Sequence, residues 1–383
     1  MKHYHYIFAG AGLSALITVY RMAVSGKFSD KNILLIDADA KKSNDRTWCY
    51  WETGAGEWDA IVSKKWDNAL FASSNFRKNM VLAPYSYKMI KGATFYQHVF
   101  NTVSKHSNIT FVQQKVVDFS DASQHVLVKT ETENYTCNKL FNSIYNPNFV
   151  HESNYQLVQQ HFIGWFVKTK KPVFSSGMAT FMDFSVPQLG NTRFMYVLPT
   201  SEKEALVEYT LFSPNLLEKQ EYENAIREYL KNLGVNDGGY EIVEKEAGNI
   251  PMTCYPFWKN NSKNIVHIGS AGGWTKASTG YTFKNTTKKS EQLVNYLQQP
   301  NPDFTKLYKK NRFWLYDLLL IDILYRTNEK GSSIFSAMFK KENPQLIFKF
   351  LDEETTFAEE LKVILSCPKL PFIQALGRKL VLK

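Results

Sequence analysis

Residues 4–15 read YHYIFAGAGLSA, and residues 32–39 read NILLIDAD. The first is a short apolar strand that runs into a glycine turn. The helical stretch LITVYRMAV follows at 16–24, and the second apolar run carries Asp37 at its end. Strand, glycine turn, helix, strand and acid, in that order, make the βαβ unit that binds a dinucleotide. Each residue has a physical task. Gly10 permits the tight turn, Gly12 lets the backbone approach a pyrophosphate, and the small Ala15 lets the helix pack closely on the strand. The turn Gly10, Ala11, Gly12 and Leu13 is expected to hold the cofactor, because the helix N-terminus offers free amides and the positive end of its dipole to phosphates. Asp37 can accept hydrogen bonds from an adenosine ribose diol, which favours FAD or NAD over NADP. Arg46, in the NDRTWCYWE segment at 44–52, either approaches the same pyrophosphate or pairs with an acid on the surface.

A second glycine turn comes late. NIVHIGSAGG at 264–273 reads as a buried strand running into Gly269 and Gly272, and WTKASTGYTF at 274–283 follows, with Thr279 and Gly280. A helix at 284–299 completes the unit. Between the two turns the pattern changes. Residues 109–118 and 125–132 read as short strands of a β-meander. From about 160, HFIGWFVKT, GMATFMDF, RFMYVLP and EALVEYTLF are strand-like runs separated by turn residues, and PTSEKE links two of them as a hairpin. Residues 218–233 have helical spacing. The expected fold is therefore α/β: a Rossmann-like FAD/NAD(P)-binding domain (1–50, 85–150 and 245–300), an inserted antiparallel-sheet substrate domain (51–84 and 151–244) and a helical C-terminal region (301–383).

The chain has 383 residues, 44% hydrophobic, with a net charge of +10. That charge suits an anionic partner: a nucleotide, nucleic acid or an acidic membrane surface. No nucleic-acid-binding motif is present, so no nucleic-acid partner is expected. The N-terminus does not read as a signal peptide, and Cys49, Cys137, Cys254 and Cys367 lie too far apart for metal or redox spacing. The expectation is a cytoplasmic protein without structural disulfides or a metal. Aromatic residues make up 15% of the chain; they either line a long apolar pocket or reflect biased composition. FWLYDLLLIDILY at 313–325, preceded by KLYKKNR, either lies on a membrane surface or packs on the substrate domain, and Asp317 and Asp322 argue against deep burial in lipid.

Residues 206–212, LVEYTLF, place Leu206, Glu208, Thr210 and Phe212 on one face of a strand and Val207, Tyr209 and Leu211 on the other. On its own, Glu208 reads as the solvent side of a half-buried antiparallel sheet.

The ordered series of motifs resembles the flavoprotein lycopene β-cyclase family of bacteria and plants. GAGLSA and LLIDAD open it. NDRTWCYW is similar to that family's Trp-containing segment, and FIGW and FMDF to two segments of its substrate domain. RFMYVLPTSEKEALVEYTLF resembles the stretch ending in its acidic FLEET-type motif, while GNIPMT and AGGWTKASTGYTF resemble its late motifs. Three departures stand out: SIYNPNF replaces an Asp-x-Arg-Gly segment, WTKASTGY lacks a His-Pro, and Tyr209 stands where relatives carry another acid or polar residue. The resemblance implies a non-redox cyclisation of the acyclic ends of lycopene and other acyclic carotenoids. Glu208 would be proton donor or cation stabiliser, with Asp183 of FMDF as proton acceptor or as a group positioning Glu208; read from the residues alone, Asp183 is a strand-end acid capping a turn. It implies reduced FAD as cofactor, NAD(P)H as external reductant, and peripheral contact with the inner face of the membrane. The alternatives on the same scaffold are a flavin-dependent hydroxylase or prenyl reductase, and a non-catalytic carotenoid-binding flavoprotein.

Overall fold

The computed structural model describes residues 1–308 and 310–381. Lys309 of the basic KLYKKNR segment, and Leu382 and Lys383 of the expected C-terminal region, lie outside the described residues. The opening βαβ unit forms as β1 (Lys2–Ala9), α1 (Leu13–Val24) and β2 (Ile33–Asp37). The apolar runs drive it: Ile7, Phe8, Ala9 and all of Ile33–Ile36 are fully buried. Gly10 turns the chain with φ +88°, and a Cβ there would lie 2.4 Å from Ser143 Oγ, so the left-handed turn admits no side chain.

β1 and β2 run parallel to β8 (Ile109–Gln113), β11 (Asn134–Asn142) and β17 (Ile265–His267), in the order β8-β2-β1-β11-β17. β9 (Val116–Asp121) and β10 (Val126–Thr130) complete an antiparallel meander with β11. The meander folds over one face of the parallel sheet, where Val126 and Val128 share a buried cluster with Ile7 and Leu34. The 109–118 run is thus two strands. It breaks at Gln114, whose amide donates to Asp37 O and whose side chain accepts from Thr130 and Tyr135. α1, α2 (Gly92–Val103) and α5 (Phe283–Tyr296) cover the opposite face.

The second large sheet has the order β16 (Tyr240–Thr253), β12 (Leu157–Thr169), β15 (Glu204–Ser213), β14 (Thr192–Pro199), β13 (Met178–Phe184), β5 (Asn68–Ser73) and β6 (Phe76–Val81). All its neighbours are antiparallel except β13 and β5. The expected boundary at 245 falls inside β16, which stays in this sheet to Thr253. β3 (Thr47–Thr53), β4 (Lys64–Trp66) and β7 (Tyr85–Lys91) form a small sheet of their own.

Both faces of the second sheet are covered, which overturns the half-buried reading of Glu208. α4 (Lys219–Asn232), which follows the short α3 (Asn148–His151), packs on Trp165, Val207, Tyr209 and Leu211. The other face meets the small sheet and the C-terminal helices α6 (Arg312–Arg326), α7 (Gly331–Lys341) and α8 (Pro344–Leu351). α9 (Phe357–Ser366) and α10 (Lys369–Val381) close the chain. α6 is the expected apolar helix. It packs into the core, and both its acids are paired: Asp317 with Lys276 at 2.9 Å, Asp322 with Arg378 at 2.6 Å. Asn311 caps it by accepting from the Trp314 amide, a contact worth about 1 kcal/mol. Among the described residues no helix is long and apolar enough to cross a membrane.

Candidate active site

Register builds the site. Gly164 on β12 pairs with Glu208 on β15 on one side and with Glu246 on β16 on the other. Next-nearest strands are normally kept apart by the side chain between them. Here there is none: a Cβ on Gly164 would lie 3.2 Å from Glu246 Cγ and 3.4 Å from Glu208 Cβ. The two carboxyl groups close over the glycine, near enough for the charge of Glu246 to act on Glu208. Thr210 Oγ1 donates to Glu208, and Thr47 Oγ1 donates to Glu246 Oε2 at 2.7 Å.

Both carboxyls are held above the ordinary range, chiefly by burial. For Glu208 the next cause is the negative charge of Glu246, while the hydrogen bond from Thr210 pulls the other way. For Glu246 the Thr47 bond and the Arg46 charge favour the anion, while the negative charge of Glu244 opposes it. Glu246 sits on the edge strand and keeps some exposure, but its carboxyl is enclosed. Both carboxyls are thus pushed toward the protonated form, Glu208 further than Glu246, so of the two Glu208 holds its proton more tightly.

The row continues onto β14, where Tyr196 pairs with Glu208. Tyr196 OH meets Tyr87 OH, which meets Tyr281 OH at 3.0 Å. Burial raises the pKa of all three phenols, so the chain stays neutral.

This row faces a cavity of about 390 Å³. One part of its wall is apolar: Phe162, Phe181, Phe194, Phe212, Phe335 and Phe339. Another part is the nucleotide end, where Gly12, Leu13, Arg46, Thr279 and Gly280 line the same cavity as Glu208. Gly10, Gly269 and Gly272 stand behind the lining. Gly269 has φ +61°, and a Cβ on Gly272 would lie 2.1 Å from His267 O, so these glycines shape the turns. Asp37 accepts from the Ala11 amide at 2.6 Å and the Asp39 amide at 2.8 Å, with Lys41 Nζ at 3.5 Å. Its Oδ2, with the one amide bond, keeps a second lone pair for a ribose hydroxyl. Arg46 lines the cavity, donates to the Asp45 backbone carbonyl at 2.6 Å and lies 4.0 Å from the Asp45 carboxylate.

Two features fit a dinucleotide. Gly12 begins α1 with no side-chain cap, and a Cβ on it would meet nothing within 4 Å. The first amides of α1 thus open onto free space. The buried Gln160 Oε1, which also lines the cavity, has no hydrogen-bond partner. Backbone donors at one place and an unused acceptor at another suit a ligand rich in phosphate and ring N–H groups.

The family described as lycopene cyclase protein matches residues 6–377. The chain belongs to the lycopene cyclase family. A curated lycopene β-cyclase from Paracoccus sp. (strain N81106) is 23% identical over 228 residues, covering 55% of this chain and 57% of that relative. The fold has wider company. A p-nitrophenol 4-monooxygenase from Pseudomonas putida aligns with TM-score 0.62 at 13% identity, over 98% of this chain and 99% of that one. A geranylgeranyl bacteriochlorophyll reductase-like protein from Thermoplasma acidophilum gives 0.59 at 11%, over 98% and 99%. A flavin-dependent brominase gives 0.58 at 14%, over the whole of both chains. These likenesses show an α/β, Rossmann-like fold shared with flavin-dependent enzymes.

Within this family member, the expected pairing of Asp183 with Glu208 does not form. Simple alternation puts Phe181 and Asp183 on one face. A bulge after Thr180 instead brings both Phe181 and Met182 to the cavity and turns Asp183 toward α4. There Asp183 accepts from the Ser185 amide at 2.9 Å and from Tyr229 OH at 2.9 Å. Tyr209 also faces α4, bonded by Arg193, so an acid at that position would not reach the cavity. The second carboxylate comes from Glu246. Its sequence signal was the GNIPMT motif that starts two residues later, but the register that carries Glu246 to Glu208 is non-local. Gly164, Tyr196, Gln160 and Lys41 were likewise unmarked.

Proposed function

We propose that the protein is a lycopene β-cyclase, closing the acyclic ends of lycopene into β-rings to give γ-carotene and β-carotene. The observation that carries this reading is the Glu208–Glu246 pair, closed over Gly164 at the wall of an aromatic cavity that also receives the nucleotide turns.

The reaction is an isomerisation. Glu208 gives its proton to the terminal double bond of the end group, and the tertiary cation is attacked by the next double bond to close the ring. A ring C–H then loses its proton to the carboxylate pair, restoring the starting protonation state. A carboxylic acid with an ordinary pKa is mostly ionised at neutral pH; burial beside Glu246 keeps Glu208 protonated. Glu246, which holds its proton less tightly, carries negative charge near the developing cation, where exclusion of water strengthens it. The apolar wall denies the cation a competing water.

FAD is the cofactor of this reading, held by Gly10–Leu13, Asp37, Arg46, Gln160, Thr279 and Gly280. In its reduced form it supplies fixed negative charge near the cationic end group. NAD(P)H serves as external reductant and is not consumed with product. The reading places a cytoplasmic protein in peripheral contact with the inner face of the membrane.

The test is anaerobic turnover of lycopene in D₂O by the reduced, flavin-loaded protein. One deuterium per ring formed, with no reductant used per ring, is expected. Reductant consumed in step with product would point to a reductase or hydroxylase instead.

A further inference from the structure

The outer side of α9 and α10 carries an apolar surface with no partner in the fold. Phe357, Leu361 and Leu365 are exposed on α9 at helical spacing, and Leu370, Ile373 and Leu380 on α10. Leu370 is 65% and Ile373 63% exposed. Single exposed apolar residues need no explanation, but a run of them along two consecutive helices does.

The acids near it are ion-paired. The two acids of α9 are both paired: Glu359, part-exposed, with Lys349 at 2.7 Å while closing the capping box on Thr356, and Glu360, fully buried, with Arg312 at 2.7 Å. Arg378 and Lys379 pair with Asp322. The charged side chains left exposed on the two helices are Lys362 and Lys369. A face with large apolar residues and only lysines on its outer side fits the boundary of an anionic bilayer. A second copy fits it poorly, because two such faces would bring lysine to lysine between chains of net charge +10.

Its position adds a second argument. α9 packs against α7 and α8, and those helices line the cavity through Phe335, Met338, Phe339 and Leu351. One helical layer thus has the cavity on its inner side and the stripe on its outer side. We propose that α9 and α10 seat the protein on an anionic lipid surface, with the apolar stripe in the acyl boundary and Lys362 and Lys369 at the phosphates. This surface gives a place in the fold to the peripheral membrane contact of the proposed reading, on which it rests, and takes no part in the reaction chemistry.

The experiment is flotation of the full chain with vesicles of phosphatidylcholine plus phosphatidylglycerol, and with phosphatidylcholine alone. The wild type is expected to float with the mixed vesicles. The double change Leu370→Ser, Ile373→Ser is expected to cut the bound fraction at least about tenfold. Both positions are exposed, so the melting curve is expected to hold. Lys362→Glu with Lys369→Glu is expected to abolish the preference for the anionic lipid. Three results would overturn the assignment: no flotation of the wild type, flotation untouched by either double change, or a dimer in sedimentation velocity that the serine changes dissolve while vesicles stay unbound. Loss of turnover on detergent-dispersed lycopene with flotation intact counts against the reaction and not against this surface.

Discussion

Replacing Gly164 by valine tests the carboxyl pair without touching either carboxyl. The position is ordinary strand backbone, so valine brings no strain in φ and good strand propensity. The obstacle is space. The Cβ alone would meet Leu206 Cδ1 at 2.9 Å, Glu246 Cγ at 3.2 Å and Glu208 Cβ at 3.4 Å. Leu206 is a flexible side-chain end and can move. The two glutamate stems must give by a few tenths of an ångström for the Cβ, and by more for the valine methyls, which occupy the gap the carboxyls close. Overpacking of this kind costs about 1–3 kcal/mol, which a chain of this size can survive folded. The functional cost is larger. With the pair wedged apart, Glu208 loses the neighbour that helps keep it protonated, and removing well-placed acid–base catalysis costs about 10²–10⁴ in rate. The assay is turnover of lycopene per mole of flavin-loaded protein, with a thermal melt beside it. Gly164→Ala is expected to fall between wild type and Gly164→Val. A folded, flavin-loaded Gly164→Val variant that turns over within about threefold of wild type would refute the reasoning, since the expected loss is about 10² or more.

Further expectations concern the same groups. Glu208 must be protonated to act, so turnover is expected to fall as pH rises through its raised pKa. Glu246→Gln removes a negative charge that raises it, and the alkaline limb of the pH–rate profile is expected to move to lower pH. Stability should show the same linkage with the opposite benefit. Glu208 binds its proton more tightly folded than unfolded, so its contribution is present below the unfolded carboxyl range and is lost as pH rises through the folded pKa. Glu208→Gln is therefore expected to raise the melting temperature relative to wild type at alkaline pH, by more than at acidic pH; melts across pH check this. Asp183→Asn is expected to leave turnover per folded enzyme near wild type, because Asp183 is committed to Ser185 and Tyr229 on the α4 face. A loss of turnover at unchanged melting temperature would return Asp183 to the site.

The nucleotide unit was legible because its signals are local. A glycine turn between an apolar strand and a helix states its geometry within about thirty residues, and Gly12, Leu13, Arg46, Thr279 and Gly280 do line one cavity. Glu208 could be named but not placed. Alternation gives its face, yet burial of that face depends on α6, α7 and α8, which lie more than a hundred residues away in the chain. Glu246 was missed because its partner is set by the register of three strands, and Gly164 because its value is the absence of a side chain between two others. The face of Asp183 could not be read, because a bulge changes parity and nothing in MATFMDF announces one. The apolar stretch at 313–325 looked equally fit for lipid or core. The ion pairs of Asp317 and Asp322 with residues elsewhere in the chain decide for the core.

The most direct measurement of the central claim is pigment chromatography on cells that accumulate lycopene, carrying the wild-type protein, Glu208→Gln or neither. The wild type is expected to convert lycopene to γ-carotene and β-carotene. Glu208→Gln is expected to leave lycopene unchanged while still purifying with its flavin. Lycopene untouched by a folded, flavin-loaded wild type, or normal rings from Glu208→Gln, would contradict the account.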